Sequence, residues 1–210
     1  QLFFSDIEPL SASKVLVRLE NETLSIGQRI LAQGLQLTVR GQEKIGIIGP
    51  NGVGKSTLLA KLHQLLSGKR EISLGFMPQD YQETLQLDLS PVEFLSQTGH
   101  KEEIQKIQSH LASLNFSYPE MHHQIHSLSG GQQGKLLLLN LVLQKPNFLL
   151  LDEPTRNFSP TSQPEIRKLF ANFPGGLVTV SHDRRFLKEV CTTIYRLTEH
   201  GLELVDLQDL

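Results

Sequence analysis

The chain has 210 residues, of which 39% are hydrophobic and 6% aromatic, with a net charge of −2 and a single cysteine. That length allows one large domain, and the near-neutral charge supplies no strongly basic face of the kind a nucleic-acid backbone demands. No apolar run approaches the roughly 20 residues of a membrane span, and the lone Cys191 excludes an internal disulfide and fits a reducing, cytoplasmic setting.

The first forty residues alternate apolar and polar positions in short pieces, Val15, Val17 and Leu19, then Leu35, Leu37 and Val39, punctuated by Gly27, Gly34 and Gly41. This predicts antiparallel strands. An apolar run, Ile45 to Ile48, then leads into Gly49, Pro50, Asn51, Gly52, Val53, Gly54, Lys55, Ser56 and Thr57. These residues fill the phosphate-loop pattern G-x-x-x-x-G-K-[ST] at every required place. Leu58, Leu59, Leu62, Leu65 and Leu66 follow at helical spacing, and the helix is expected to stop near Ser67-Gly68. Strand, glycine loop and helix is the order a phosphate needs. Glycines let backbone amides turn inward, the helix terminus adds partial positive charge, and Lys55 adds a full one. Ser56 is placed to hold the Mg2+ that accompanies a nucleoside triphosphate.

A short strand is expected over Ile72–Met77, ending at Pro78-Gln79. Ser90-Pro91-Val92-Glu93 reads as a capping box with proline at the first helical position. Ile104, Ile107, Leu111 and Leu114 mark one face of a further helix, so that residues 88–127 read as a small helical insertion. Strand and helix then alternate: helix 131–144, strand Phe148–Leu151, a helix after Pro164, strand Leu177–Ser181, helix 184–190, strand Thr193–Leu197 and a closing strand Leu202–Leu207. That order implies a parallel sheet with both faces covered.

Two further patterns carry chemistry. The apolar strand Phe148–Leu151 runs into Asp152 and Glu153, at the carboxyl end where parallel sheets bind ligands. Alternation along a strand sends the two side chains to opposite sides, so Asp152 is assigned to Mg2+ through its water shell and Glu153 to the attacking water. Leu128, Ser129, Gly130, Gly131 and Gln132 precede a long apolar helix that Ser129 can cap, with the two glycines leaving amides open to an anion. His182 also stands at a strand end, where an imidazole can donate to phosphate. His122, His123 and His126 lack the glutamate and third ligand of a zinc site and read as a solvated helical face, with no zinc expected. Cys191, among Phe186, Leu187, Val190 and Ile194, reads as a packed core residue.

Taken in order, Gly49–Thr57, Gln79, Leu128–Gln132, Phe148–Glu153 and Val180-Ser181-His182-Asp183 resemble the motifs of an ATP-binding cassette (ABC) ATPase across essentially the whole chain. The resemblance implies an α/β P-loop NTPase fold with a RecA-like, mostly parallel sheet. It implies an antiparallel β part over 1–43, an ATPase core over 44–87 and 128–210, and a helical subdomain over 88–127. It also makes Gln79 the glutamine that contacts Mg2+ and the attacking water. Leu128–Gln132 becomes the signature that touches ATP held by a second cassette, and His182 the histidine at the γ-phosphate. The active unit is a head-to-tail pair of cassettes around two ATP molecules.

Val180–Leu187 and the Asp-Glu-Pro-Thr stretch look like the ABC-F group, soluble tandem-cassette proteins many of which act on ribosomes in translation or antibiotic resistance. The preceding strands, the start at Gln1 and methionines only at 77 and 121 suggest the second cassette of such a chain. Alternatives are the ATP-binding subunit of a membrane transporter, or a regulatory nucleotide-binding module. The chain departs from the pattern at residues 156–159, Arg-Asn-Phe-Ser, where ABC-F proteins usually read Asn-His-Leu-Asp. Ser159 thus replaces the acid that links the two sites. Gln132 stands where Glu is frequent, and Ile26 where an adenine-stacking aromatic is expected.

Overall fold

The computed structural model describes residues 2–4 and 6–210; Gln1 and Ser5 lie outside the described residues. The antiparallel pieces expected at the start form one long hairpin, β1 (Val15–Ile26) and β2 (Arg29–Arg40), turned at Gly27 with φ 57°. A register shift between Val15 and Val17 breaks the expected alternation. Leu16 and Val17 are both buried, and Val15 is exposed.

The remaining strands are β3 (Lys44–Ile48), β4 (Leu74–Met77), β5 (Phe148–Asp152), β6 (Gly176–Val180), β7 (Thr193–Thr198) and β8 (Gly201–Val205). They form a sheet of order β4-β5-β6-β3-β7-β8, parallel except for the last pair. The strand expected from Ile72 begins later, because Ile72 and Ser73 still belong to the turn held by Lys69 and by the Asn147 side chain. The chain beyond Val205 leaves β8 for a short turn over Leu207–Asp209 capped by Asp206.

The sheet's two faces bury different layers. Phe148 and Leu150 pack with Ile45, Ile47, Val178, the hairpin and α1 (Lys55–Ser67). Leu149 and Leu151 face the other way, onto α5 (Gly130–Leu143) and the helical insertion. Leu65, at helical spacing with the α1 leucines, is exposed. The insertion comprises α2 (Pro91–Leu95), α3 (Lys101–Ser113) and α4 (Tyr118–His122). Ser90 and Glu93 make the expected capping box on α2, and Ser117 and Glu120 make another on α4. Helices α6 (Gln163–Ala171) and α7 (Arg184–Val190) complete the second layer. No helix of the described residues is long and apolar enough to cross a membrane.

Candidate nucleotide site

Three neighbouring strands, β3, β6 and β5, deliver the site at their carboxyl ends. After β3 the chain turns through Gly49, Gly52 and Gly54, all at positive φ. A Cβ on Gly49 would stand 2.9 Å from the Leu197 carbonyl oxygen. Gly54 occupies the N-cap of α1 at φ 111°, a conformation only glycine adopts without strain, and no side chain caps the helix. The first-turn amides of α1 and its dipole therefore face the cleft. Lys55 is 7% exposed, and its Nζ donates to the carbonyls of Gly49 at 2.5 Å and Pro50 at 2.8 Å. Burial pushes the Lys55 ammonium pKa down, opposed by the charges of Glu153 and Asp152.

Asp152 ends β5 on the same face as Phe148 and Leu150, which is the α1 face. Its Oδ2 accepts a hydrogen bond of 2.8 Å from Ser56 Oγ, while Oδ1 is buried without a partner. Burial raises the Asp152 pKa, Ser56 lowers it, Glu153 raises it, and Lys55 and Arg156 pull it down. A buried, unpartnered carboxylate oxygen beside a serine hydroxyl is the hard-oxygen donor set that Mg2+ takes, so these residues fit the ion.

The two acids do not part to opposite sides. Glu153 lies at φ 50°, which ends the strand's alternation and swings its carboxylate back to the cleft that Asp152 also lines. There it accepts from the His182 amide at 3.2 Å and from His182 Nδ1. Below it, Thr155 Oγ1 donates to Asp183 Oδ2 at 2.9 Å, and Asp183 caps α7 through Phe186 N.

The cleft so formed holds about 620 Å³ and is lined by Asn51, Gly52, Gly54, Lys55, Ser56, Thr57, Gln79, Asp152, Glu153 and His182. Ile26, 60% exposed at the hairpin tip, lines it as well. Two lining residues, Leu31 and Arg156, were not expected. Leu31 falls outside the alternation that marks the hairpin core. Arg156 was legible only as a departure from a family pattern. The signature is not part of this cleft. Ser129 caps α5 by accepting from Gln132 N at 3.2 Å, and Gln132 Oε1 accepts in return from Ser129 N at 3.1 Å. A Cβ on Gly130 or Gly131 would meet nothing within 4 Å, so the surface there is open. Gly130 instead borders an adjacent cavity of about 760 Å³ that shares Ser56, Gln79, Asp152 and Arg156 with the cleft.

The histidines occupy no common helical face. Helix α4 ends at His122, His123 is extended, and His126 sits in a separate turn. His122 Nε2 faces Gln108 and His126 Nε2 faces Gln124, and among the described residues no group of three metal-binding side chains comes together. Cys191 is buried and its thiol is pushed up to about 12 by burial.

The ABC transporter family profile matches residues 32–156. The probable ATP-binding protein YheS of Escherichia coli K12 is 32% identical over 210 residues, covering 97% of this chain and 33% of YheS. ABC transporter F family member 2 of Arabidopsis thaliana is 26% identical, over 91% of this chain and 29% of its own length. The chain spans about a third of the length of these curated relatives. Among solved structures, a dimeric post-hydrolysis state of the ATP-binding cassette MJ0796 bound to ADP and Pi superposes with a TM-score of 0.74 at 20% identity, covering 90% of this chain and 98% of that one. An ATP-bound bacterial Atm1-family ABC exporter gives a TM-score of 0.75 at 18% identity, over 99% of this chain and 42% of the exporter. At those identities the structures establish the fold, and the profile match establishes the kinship: the chain belongs to the ABC transporter family, as one of its ATP-binding cassette domains.

Proposed function

We propose that this cassette hydrolyses ATP to ADP and phosphate as one half of a head-to-tail pair, within a soluble, cytoplasmic ABC-F protein that acts on ribosomes in translation or antibiotic resistance. The observation that carries the ATPase reading is the convergence of Lys55, Ser56, Asp152, Glu153 and His182 on one cleft from three adjacent strands. Lys55 and backbone N–H groups of the loop Gly49–Thr57, in which Pro50 has none, bind the phosphates. Ser56 and Asp152, with Gln79 beside them, would hold Mg2+, Asp152 through the ion's water shell. The ion would supply positive charge that offsets the charge of the phosphates. Glu153 accepts the proton of a water whose oxygen attacks the γ-phosphorus in line. The bond from that phosphorus to the bridging oxygen breaks, and ADP leaves with the electron pair. His182 holds Glu153 in place and meets the γ-phosphate. Gln79 orients the water.

A composite site is supported by the position of Leu128–Gln132, whose open glycines do not line the cleft that the chain's own phosphate loop forms. In this reading they close over nucleotide held by a second cassette, in the same chain or in a homodimer. The dimeric form of MJ0796 is a precedent. ABC-F membership is favoured by the Arabidopsis relative.

Glu153→Gln is expected to keep ATP binding and lower turnover by about 10²- to 10⁴-fold. Hydrolysis at the wild-type rate would remove Glu153 from this role. Co-purification of the intact protein with ribosomes is expected; co-purification with a membrane permease would instead favour a transporter subunit. One observation favours a regulatory module with weak turnover. Ser159, at the place of the acid that links two sites, spends its hydroxyl on Thr161 and Ser162 at 3.0 and 3.1 Å. Sustained turnover in the intact protein would dismiss that reading.

A further inference from the structure

Arg156 stands at the turn by which the chain leaves β5. Its amide donates to the Glu153 carbonyl at 3.2 Å, and the preceding residue, Thr155, is 3% exposed and tied to Asp183. The root of this side chain is therefore fixed beside Glu153. Arg156 lines both the nucleotide cleft and the adjoining cavity, which also share Ser56, Gln79 and Asp152. Arg156 is exposed and makes no ion pair among the described residues.

The cleft's charges give this placement a consequence. Asp152 and Glu153 bring two carboxylates to a pocket built for an anion, and Lys55 alone does not balance them. Lys55 is also buried and engaged by two loop carbonyls. Arg156 brings the formal charge of these four side chains to zero and is the exposed cation of the cleft, with no ion pair among the described residues. A guanidinium presents a planar fork that matches two oxygens of one phosphate. Because Arg156 is rooted on the same turn as Glu153, the phosphate within its reach is the one that undergoes attack.

We propose that Arg156 is a second phosphate-binding residue, contacting the terminal phosphoryl group of a bound nucleoside triphosphate and so distinguishing ATP from ADP. The inference rests on the nucleotide reading of the cleft and adds a residue that the phosphate-loop pattern does not contain.

The test is equilibrium binding of a fluorescent, slowly hydrolysed ATP analogue and of the matching ADP analogue, with Mg2+, to the chain and its variants. Arg156→Ala should weaken the ATP analogue about tenfold, the size of one charge-assisted hydrogen bond, and leave the ADP analogue unchanged. Arg156→Lys, which keeps charge and loses the fork, should recover part of the difference. An unaltered melting temperature confirms that the variants are folded. Equal weakening of both analogues, or no change in either, overturns the proposal. So does a change confined to pairing between chains, which would place the guanidinium on a second cassette. The failures separate: a wild-type chain that binds neither analogue overturns the nucleotide reading of the cleft and the inference with it. Binding that is abolished by Lys55→Ala and keeps its ATP-to-ADP ratio in Arg156→Ala overturns the inference alone.

Discussion

Asp152 holds the sharpest energetic conflict at the scale of single residues. Its carboxylate is 7% exposed, one oxygen has no partner, and burial raises its pKa above the ordinary value of 3.8. Between that value and the raised one, the folded chain holds a proton that the unfolded chain has released. The contribution of Asp152 to stability is therefore fully present below the ordinary value and is lost as pH rises through the folded one. At neutral pH the ionised group destabilises the nucleotide-free fold. Asp152→Asn, which keeps an acceptor for Ser56, is expected to raise the melting temperature without nucleotide and to abolish most of the stabilisation that Mg2+ and ATP confer. The gain over wild type should grow as pH rises past the ordinary value of 3.8 and level off once Asp152 is ionised in the folded chain as well. A difference that is constant over that range would exclude titration of Asp152 as its source. Glu153 belongs to the same scale. The sequence places it next to Asp152, but its φ of 50° sets its direction. Strand alternation cannot anticipate a left-handed residue that is not glycine.

Elements were far more legible than their ends. The apolar strands, the α1 leucines and the box at Ser90 are patterns of period 2, 3.6 and 3, written locally. The helical spacing of His122 and His126 failed because tertiary pairing overrode it. Ile125 is fully buried, and the amides of Ile125 and His126 bond to the carbonyls of Leu89 and Leu87 at 2.9 and 3.1 Å. That pairing draws the chain out of the helix at His123. Close approaches were equally unreadable. A Cβ on Gly176, at the start of β6, would lie 2.7 Å from the Phe148 ring and 2.9 Å from the carbonyl oxygens of Gly41 and Glu43. Backbone cannot yield as a side chain can, so Gly176→Ala should destabilise by about 1–3 kcal/mol in chemical denaturation. Gly68, just after α1, has φ −85° and open space around it, and Gly68→Ala should be neutral or stabilise by up to about 1 kcal/mol. Equal effects at the two sites would remove crowding as the cause.

At the scale of the whole molecule, the strand order β5-β6-β3 brings the phosphate loop, Asp152, Glu153 and His182 to one cleft, whereas Leu128–Gln132 lies outside that cleft, with Gly130 bordering only the adjoining cavity. Pairing of cassettes predicts that ATP turnover per chain rises with protein concentration and then saturates, whereas a single chain acting alone gives a constant specific activity. A steady-state phosphate-release assay across a dilution series distinguishes them. A phosphate loop, two acids and a histidine at strand ends, and a helix capped by Ser129 are all readable along the chain, because each is a local pattern enforced by backbone sterics and hydrogen bonding. That Glu153 turns back to meet His182, that Arg156 and Leu31 border the cleft, and that Leu128–Gln132 stays outside it are readable only from the folded chain. Those outcomes depend on which strands lie side by side and on one left-handed residue, and contacts between segments distant in the chain leave no periodic mark on either of them.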